Sequence, residues 1–124
     1  MNADKREIFK QLKSILSSFV PPLSARNDTT SRYDLYGKKK AKLGTQETDG
    51  MYFASAIIQK NFVGFYFFPI YTHREHFADV PDGLKKCLKG KSCFHMKKMD
   101  DALLDNVRRI LEKGITLYKK LGWI

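Results

Sequence analysis

The stretch from Met51 to Ile70 constrains this chain most, because it is the longest apolar, β-branched and aromatic run present. Gln59, Lys60 and Asn61 interrupt it, which predicts two strands joined by a tight turn at Lys60-Asn61. Gly64 and Pro69 punctuate the second half and argue against a helix there. With a two-residue loop, Ile57 pairs with Gly64, Ser55 with Tyr66 and Phe53 with Phe68. Side chains alternate along a strand, so one face is expected to carry Tyr52, Ala54, Ala56, Ile58, Val63, Phe65 and Phe67. The other is expected to carry Met51, Phe53, Ser55, Ile57, Gln59, Phe62, Tyr66 and Phe68. The first set is apolar apart from the Tyr52 hydroxyl, and its alanines admit a helix closely, so it is the predicted main core. The second set is mixed, and such a face is either covered or a binding surface. A three-residue loop would exchange the two sets.

Helices are expected at both ends. Asp4 and Glu7 form a capping-box variant, after which Ile8, Phe9, Leu12, Ile15, Leu16 and Phe19 recur at helical spacing. Pro21-Pro22 ends that helix. At the other end, Asp100 or Asp101 caps a long helix with the stripe Leu103, Leu104, Val107, Ile110, Leu111, Gly114, Ile115, Tyr118 and Leu121. Gly122 stands where a left-handed residue closes a helix, with Trp123 placed to fold back on Tyr118. Between them, Ser24 to Ser31 reads as a loop and Arg32 to Tyr36 as a short strand. Gly37 to Gly44 reads as a lysine-rich extension of that strand. Leu84, Cys87 and Leu88 predict a short helical piece closed by Gly90, and Ser92 to Met96 one more strand. The predicted architecture is α+β: a two-layer sandwich with an antiparallel sheet and the N- and C-terminal helices packed on one face.

The 124 residues make one domain, 1–124. No apolar run approaches the ~18 residues a membrane span needs. The opening Asn2-Ala-Asp-Lys-Arg-Glu-Ile is not an export signal, and two cysteines do not make a disulfide framework. A cytoplasmic protein with reduced thiols is expected, as a monomer or weak homodimer. Lys and Arg number 23 against 13 acids, a net charge of +10 that favours anionic partners.

Motifs for chemistry are sparse. His73-x-x-His76, with Glu75 and Asp79, and Cys93-x-His95 do not complete a zinc spacing. Cys93 and His95 share a strand face but lack an orienting acid and an oxyanion hole. The lysines between Gly37 and Gly44 do not form a phosphate-binding loop. The expectation is no catalytic residues, no metal and no cofactor. An aromatic sheet face on a basic protein invites nucleic-acid binding, but the sequence signature of an RNA-binding sheet is missing, so nucleic acid ranks below other partners.

Three segments carry a resemblance: Met51 to Ser55 with Val63 to Tyr71, Leu88 to Lys98, and Gly114 to Trp123. In this order they resemble the YdhG-like domain family of unknown function, across nearly the whole chain. The resemblance implies a frataxin-like fold and, from one bacterial branch, an iron chaperone for iron–sulfur cluster assembly. Iron binding of the frataxin type uses an acidic ridge, whereas the first helix here offers Asp4 and Glu7 among Lys5, Arg6, Lys10 and Lys13. The leading expectation is therefore a non-enzymatic binding or adaptor domain holding a small ligand or an acidic protein partner. Iron delivery is the alternative. The expected site is the mixed face: Phe53, Ser55, Tyr66 and Phe68, joined by Cys93 and His95, unless residues 71–90 lie over it as a second core.

Overall fold

The computed structural model describes residues 4–124, so the reading of the first three residues as free of an export signal lies outside the described residues. The chain is α+β. Helix α1 (Lys5–Ser17) is capped by Asp4, whose side chain accepts from the Arg6 N–H at 3.0 Å. Strands β1 (Ser24–Asp28), β2 (Arg32–Tyr36), β5 (Tyr52–Ile58), β6 (Val63–Phe67), β7 (Leu88–Lys89) and β8 (Cys93–Met96) form one antiparallel sheet, in the order β1-β2-β5-β6-β8-β7. A separate hairpin joins β3 (Ala41–Leu43) to β4 (Gln46–Thr48). Short helices α2 (Pro69–Thr72) and α3 (Asp82–Lys85) follow the central hairpin, and α4 (Asp101–Lys120) closes the chain.

The central hairpin turns at Lys60-Asn61 with the expected register, Ile57 opposite Gly64 and Ser55 opposite Tyr66. The Gln59 N–H donates to the Phe62 carbonyl at 2.8 Å. Lys5 reaches across from α1 to the carbonyls of Gln59 and Lys60, tying the first helix to this turn.

The expected faces need one correction. The β2–β5 register shifts so that Leu35 opposes Ala54 while Tyr36 opposes Tyr52, which leaves Phe53 as the extra residue of a β-bulge. A bulge reverses the alternation on its far side. Phe53 therefore lies with Ala54 and Phe67 in the core, its ring 5.1 Å from Tyr118 of α4. Tyr52 lies on the opposite face, beside Tyr36 and Phe68. The Tyr118 hydroxyl donates to the Tyr52 carbonyl at 2.6 Å, at the point where the ladder is broken.

Helix α4 begins at Asp100, which accepts from the Leu103 N–H at 2.7 Å. Its buried stripe includes Leu117, absent from the predicted one, whereas Leu121 is exposed. Helices α1 and α4 contact one another, and α1 also contacts β5 and β6. The segment between β6 and β8 joins this side too: the Phe77 ring meets Phe67 at 5.2 Å, and Asp79 accepts from Lys113 of α4 at 2.7 Å. Phe77 and Asp79 thus lie on the α4 side, whereas Leu88–Lys89 form the edge strand β7 and Tyr71 meets Phe68 of the mixed face at 5.9 Å.

The end of α4 is a Schellman motif. The Trp123 N–H donates to the Tyr118 carbonyl and the Gly122 N–H to the Lys119 carbonyl, with Gly122 at φ +77° and the Trp123 ring 4.9 Å from Tyr118. A Cβ at Gly122 would meet nothing within 4 Å, so the cost of substitution there is conformational alone. Gly122→Val is expected to lower stability by about 1–2 kcal/mol, read from urea unfolding. An unchanged midpoint would mean that the helix tolerates another ending.

Candidate functional site

The face of the sheet away from Phe53 and Phe67 is built in rows across the strands. Asn27, Asp34, Ser55, Tyr66 and Cys93 are successive cross-strand partners and form the central row. Its middle is a closed hydrogen-bond network. Asp34 Oδ1 accepts from Ser55 Oγ at 2.6 Å, and Asp34 Oδ2 accepts from Asn27 Nδ2 at 2.6 Å and Arg32 Nε at 2.9 Å. The Tyr52 hydroxyl donates to Ser55 Oγ at 2.6 Å. Asp34 and Ser55 are each only 1% exposed.

Burial alone would raise the Asp34 carboxyl, but the hydrogen bonds from Ser55, Arg32 and Asn27 and the charge of Arg32 outweigh it and hold it below the ordinary value. Burial pushes the Tyr52 phenol well above its usual range, so it stays a neutral donor to Ser55. The Ser55 proton is committed to Asp34 and its oxygen is shielded from solvent. The network links β1, β2 and β5 across the face.

Tyr66 lies back along its own strand. A Cβ on Gly64 would fall 2.6–2.9 Å from the Tyr66 ring and hydroxyl, and that hydroxyl accepts from Gln59 Nε2 at 3.0 Å. Burial raises the Tyr66 phenol and also the Cys93 thiol, the latter partly offset by the neighbouring Tyr66. His95 opposes Gly64 and lies stacked on Phe62, ring centroids 3.7 Å apart. Neither cysteine is in a disulfide.

The second row is aromatic. Tyr36, Tyr52, Phe68 and Tyr71 follow one another with centroids 5.2, 5.5 and 5.9 Å apart. A cation closes each end: the Arg26 guanidinium lies 4.2 Å from the Tyr36 centroid and Lys91 Nζ 5.5 Å from that of Tyr71. Tyr71 is 50% exposed, and the other three rings are half-buried.

Of the expected site residues, Ser55, Tyr66 and Cys93 come together in the central row, His95 stands one pair further along, and Phe68 joins the aromatic row. Phe53 does not belong, because the bulge turns it into the core. Sequence reasoning missed Asp34, Arg32, Tyr36, Tyr52 and Arg26. The alternation Arg32-x-Asp34-x-Tyr36 carried the signal for three of them, since Tyr33 and Leu35 between them are apolar.

His73 and His76 lie 6.0 Å apart between ring centroids, and His73 also meets the Trp123 ring at 5.7 Å. Among the described residues, no three His, Cys, Asp or Glu side chains are grouped so as to hold a metal ion, and no helix is long and apolar enough to cross a membrane. Compared with models of protein families, with curated proteins and with solved structures, the chain matches none.

Proposed function

We propose that this chain is a non-enzymatic binding or adaptor domain of the YdhG-like family. In this reading it has a frataxin-like two-layer arrangement, and the sheet face away from the helices docks an acidic protein partner. The observation that carries it is the row of four touching rings with a cation at each end. Such a strip offers apolar contact at its middle and charge at its rim, the usual layout of a protein docking surface. Arg26 and Lys91 have no carboxylate within 4 Å among the described residues. The one acid buried in this face, Asp34, is already neutralised by its own neighbours. The face therefore presents net positive charge, as does the whole chain at +10.

A protein fits better than single-stranded nucleic acid. Base stacking needs open ring faces. Here the rings of the aromatic row tilt 40–50° against one another, and Phe62 and His95 cover each other. Edges and hydroxyls are what remain for a partner.

A photo-crosslinking amino acid in place of Tyr71, in the cells that make the protein, tests this. The expected result is an acidic protein that binds the purified chain in a salt-sensitive manner. Its affinity should fall about tenfold in Arg26→Ala/Lys91→Ala and change little in Lys38→Ala/Lys39→Ala. Crosslinks to nucleic acid, or an affinity indifferent to the Arg26/Lys91 pair, would overturn the reading. Stoichiometric ferrous iron binding by the purified chain would favour iron delivery instead.

A further inference from the structure

We infer that the hollow between α3, β8 and the start of α4 is a binding site for a phosphate-bearing ligand, distinct from the aromatic row proposed above as the docking strip. The hollow has a volume of about 560 Å³, in the range of sites for small molecules. Four lysines line it, and they come from three separate segments. Lys86 follows α3, Lys89 lies in β7, and Lys97 and Lys98 follow β8. The fold, rather than one charged run, brings them together.

These cations are in no ion pair among the described residues: none of the four has a carboxylate within 4 Å, and the ion pairs present use Lys13, Arg32, His76, Arg109 and Lys113. Asp100 also lines the hollow, but one of its oxygens is spent on the Leu103 N–H as the cap of α4. That cap occupies the helix start, so the attraction for an anion comes from the lysines. Cys87 adds no negative charge. Burial raises its thiol even against Lys89 and Lys98, and its Sγ donates to the Gly83 carbonyl at 3.6 Å. The Asn106 side chain and the half-buried His95 are further polar groups at the wall.

The class of ligand follows from the charges. Four lysine side chains around one hollow concentrate positive charge there, and an anion carrying two or more charges offsets it best. Lysine offers mobile point charges, which suit the many equivalent oxygens of a phosphate. A single carboxylate is better held by the planar fork of an arginine, and no arginine lines this hollow. The phosphate could belong to a soluble ester or to a lipid headgroup.

Calorimetric titration of the full chain with inorganic pyrophosphate tests the site. Saturable binding with one equivalent is expected, weakening as KCl is raised. Lys86→Ala/Lys97→Ala should weaken it about tenfold or more, and Lys38→Ala/Lys39→Ala, with the same loss of charge in an exposed turn, less than about twofold. All these lysines are exposed, and thermal melts of both variants check that the fold is intact. Sedimentation with phosphatidylcholine vesicles, with and without phosphatidic acid, separates the two sources. Retention on phosphatidic acid that pyrophosphate displaces identifies a lipid headgroup, and saturable pyrophosphate binding without retention identifies a soluble ester. Absence of saturable binding, or equal losses in the two lysine pairs, would overturn the proposal.

Discussion

Gly114→Val is expected to destabilise the protein by about 2–3 kcal/mol, enough to lower the melting midpoint by several degrees in a domain of this size. Gly114 sits in the middle of α4, where glycine is a poor helix former, so local propensity alone would make almost any replacement favourable. Packing reverses the sign. A Cβ at this position would stand 2.7 Å from Phe67 Cζ and 2.9 Å from Phe53 Cε1. Both rings are fully buried and packed edge to face, 5.6 Å apart, so neither has room to swing away. The helix can lie on these rings only where it has no side chain. Gly114→Ala should be milder, about 1 kcal/mol, because its gain in helix propensity offsets part of the clash. The decisive comparison is Gly114→Val/Phe67→Leu. Trimming Phe67 alone costs stability, but together the two changes should cost less than their sum. Strict additivity in urea unfolding, or a neutral Gly114→Val, would mean that the helix does not rest on this pair of rings.

The same contact shows where periodicity in the sequence was informative and where it was not. The stripe of α4 was legible with Gly114 inside it, because a helix of this length repeats its pattern many times. The hairpin register was legible too, because its polar turn allows few alternatives. The face of Phe53 was not. A bulge is one extra residue, and Met51-Tyr52-Phe53-Ala54 alternates equally well with or without it. What selects the bulge lies far along the chain, in the Leu35–Tyr36 register and the Tyr118 hydroxyl that meets the Tyr52 carbonyl. Strand β1 was hidden for a related reason. Ser24 to Asp28 has little intrinsic strand preference, and it becomes a strand by pairing with β2. The burial of Phe77 and Leu84 was equally beyond reach, since with Val80 their spacing imitates one continuous helix, which Pro81 breaks into two short pieces. The candidate site was therefore read in part. Ser55, Tyr66 and Cys93 follow from the hairpin and the last strand, whereas Asp34, which accepts from Ser55, reads in isolation as an ordinary polar residue between Tyr33 and Leu35.

Asp34→Ala is expected to cost about 3 kcal/mol, and the effect should depend on pH. Removing the carboxylate leaves the Ser55 hydroxyl, 1% exposed, without its acceptor, and takes the shared partner from Asn27 and Arg32. The exposed Asn27 and Arg32 can turn to water, so most of the loss falls on the buried Ser55 and on the charged hydrogen bonds themselves. Asp34→Asn keeps the shape but places an amide N–H₂ against at least one donor, and it should also be destabilised. The pH dependence follows from the direction of the shift. The folded carboxyl titrates below its unfolded value of about 3.9, so its contribution is fully present above that value and is lost as pH falls through the lower folded one. The parent protein should therefore lose stability more steeply than Asp34→Asn on acidification below about pH 4. A residual slope should persist in the variant, because Asp79 beside Lys113 is also held below the ordinary carboxyl value. Urea unfolding of both proteins at a series of pH values measures the difference directly. Parallel acid limbs would show that Asp34 carries no linked proton, and a loss well below 1 kcal/mol in Asp34→Ala at neutral pH would show that the network does not hold its strands together. If both results come out as expected, the buried Asp34 carboxylate is what ties β1, β2 and β5 together on this face.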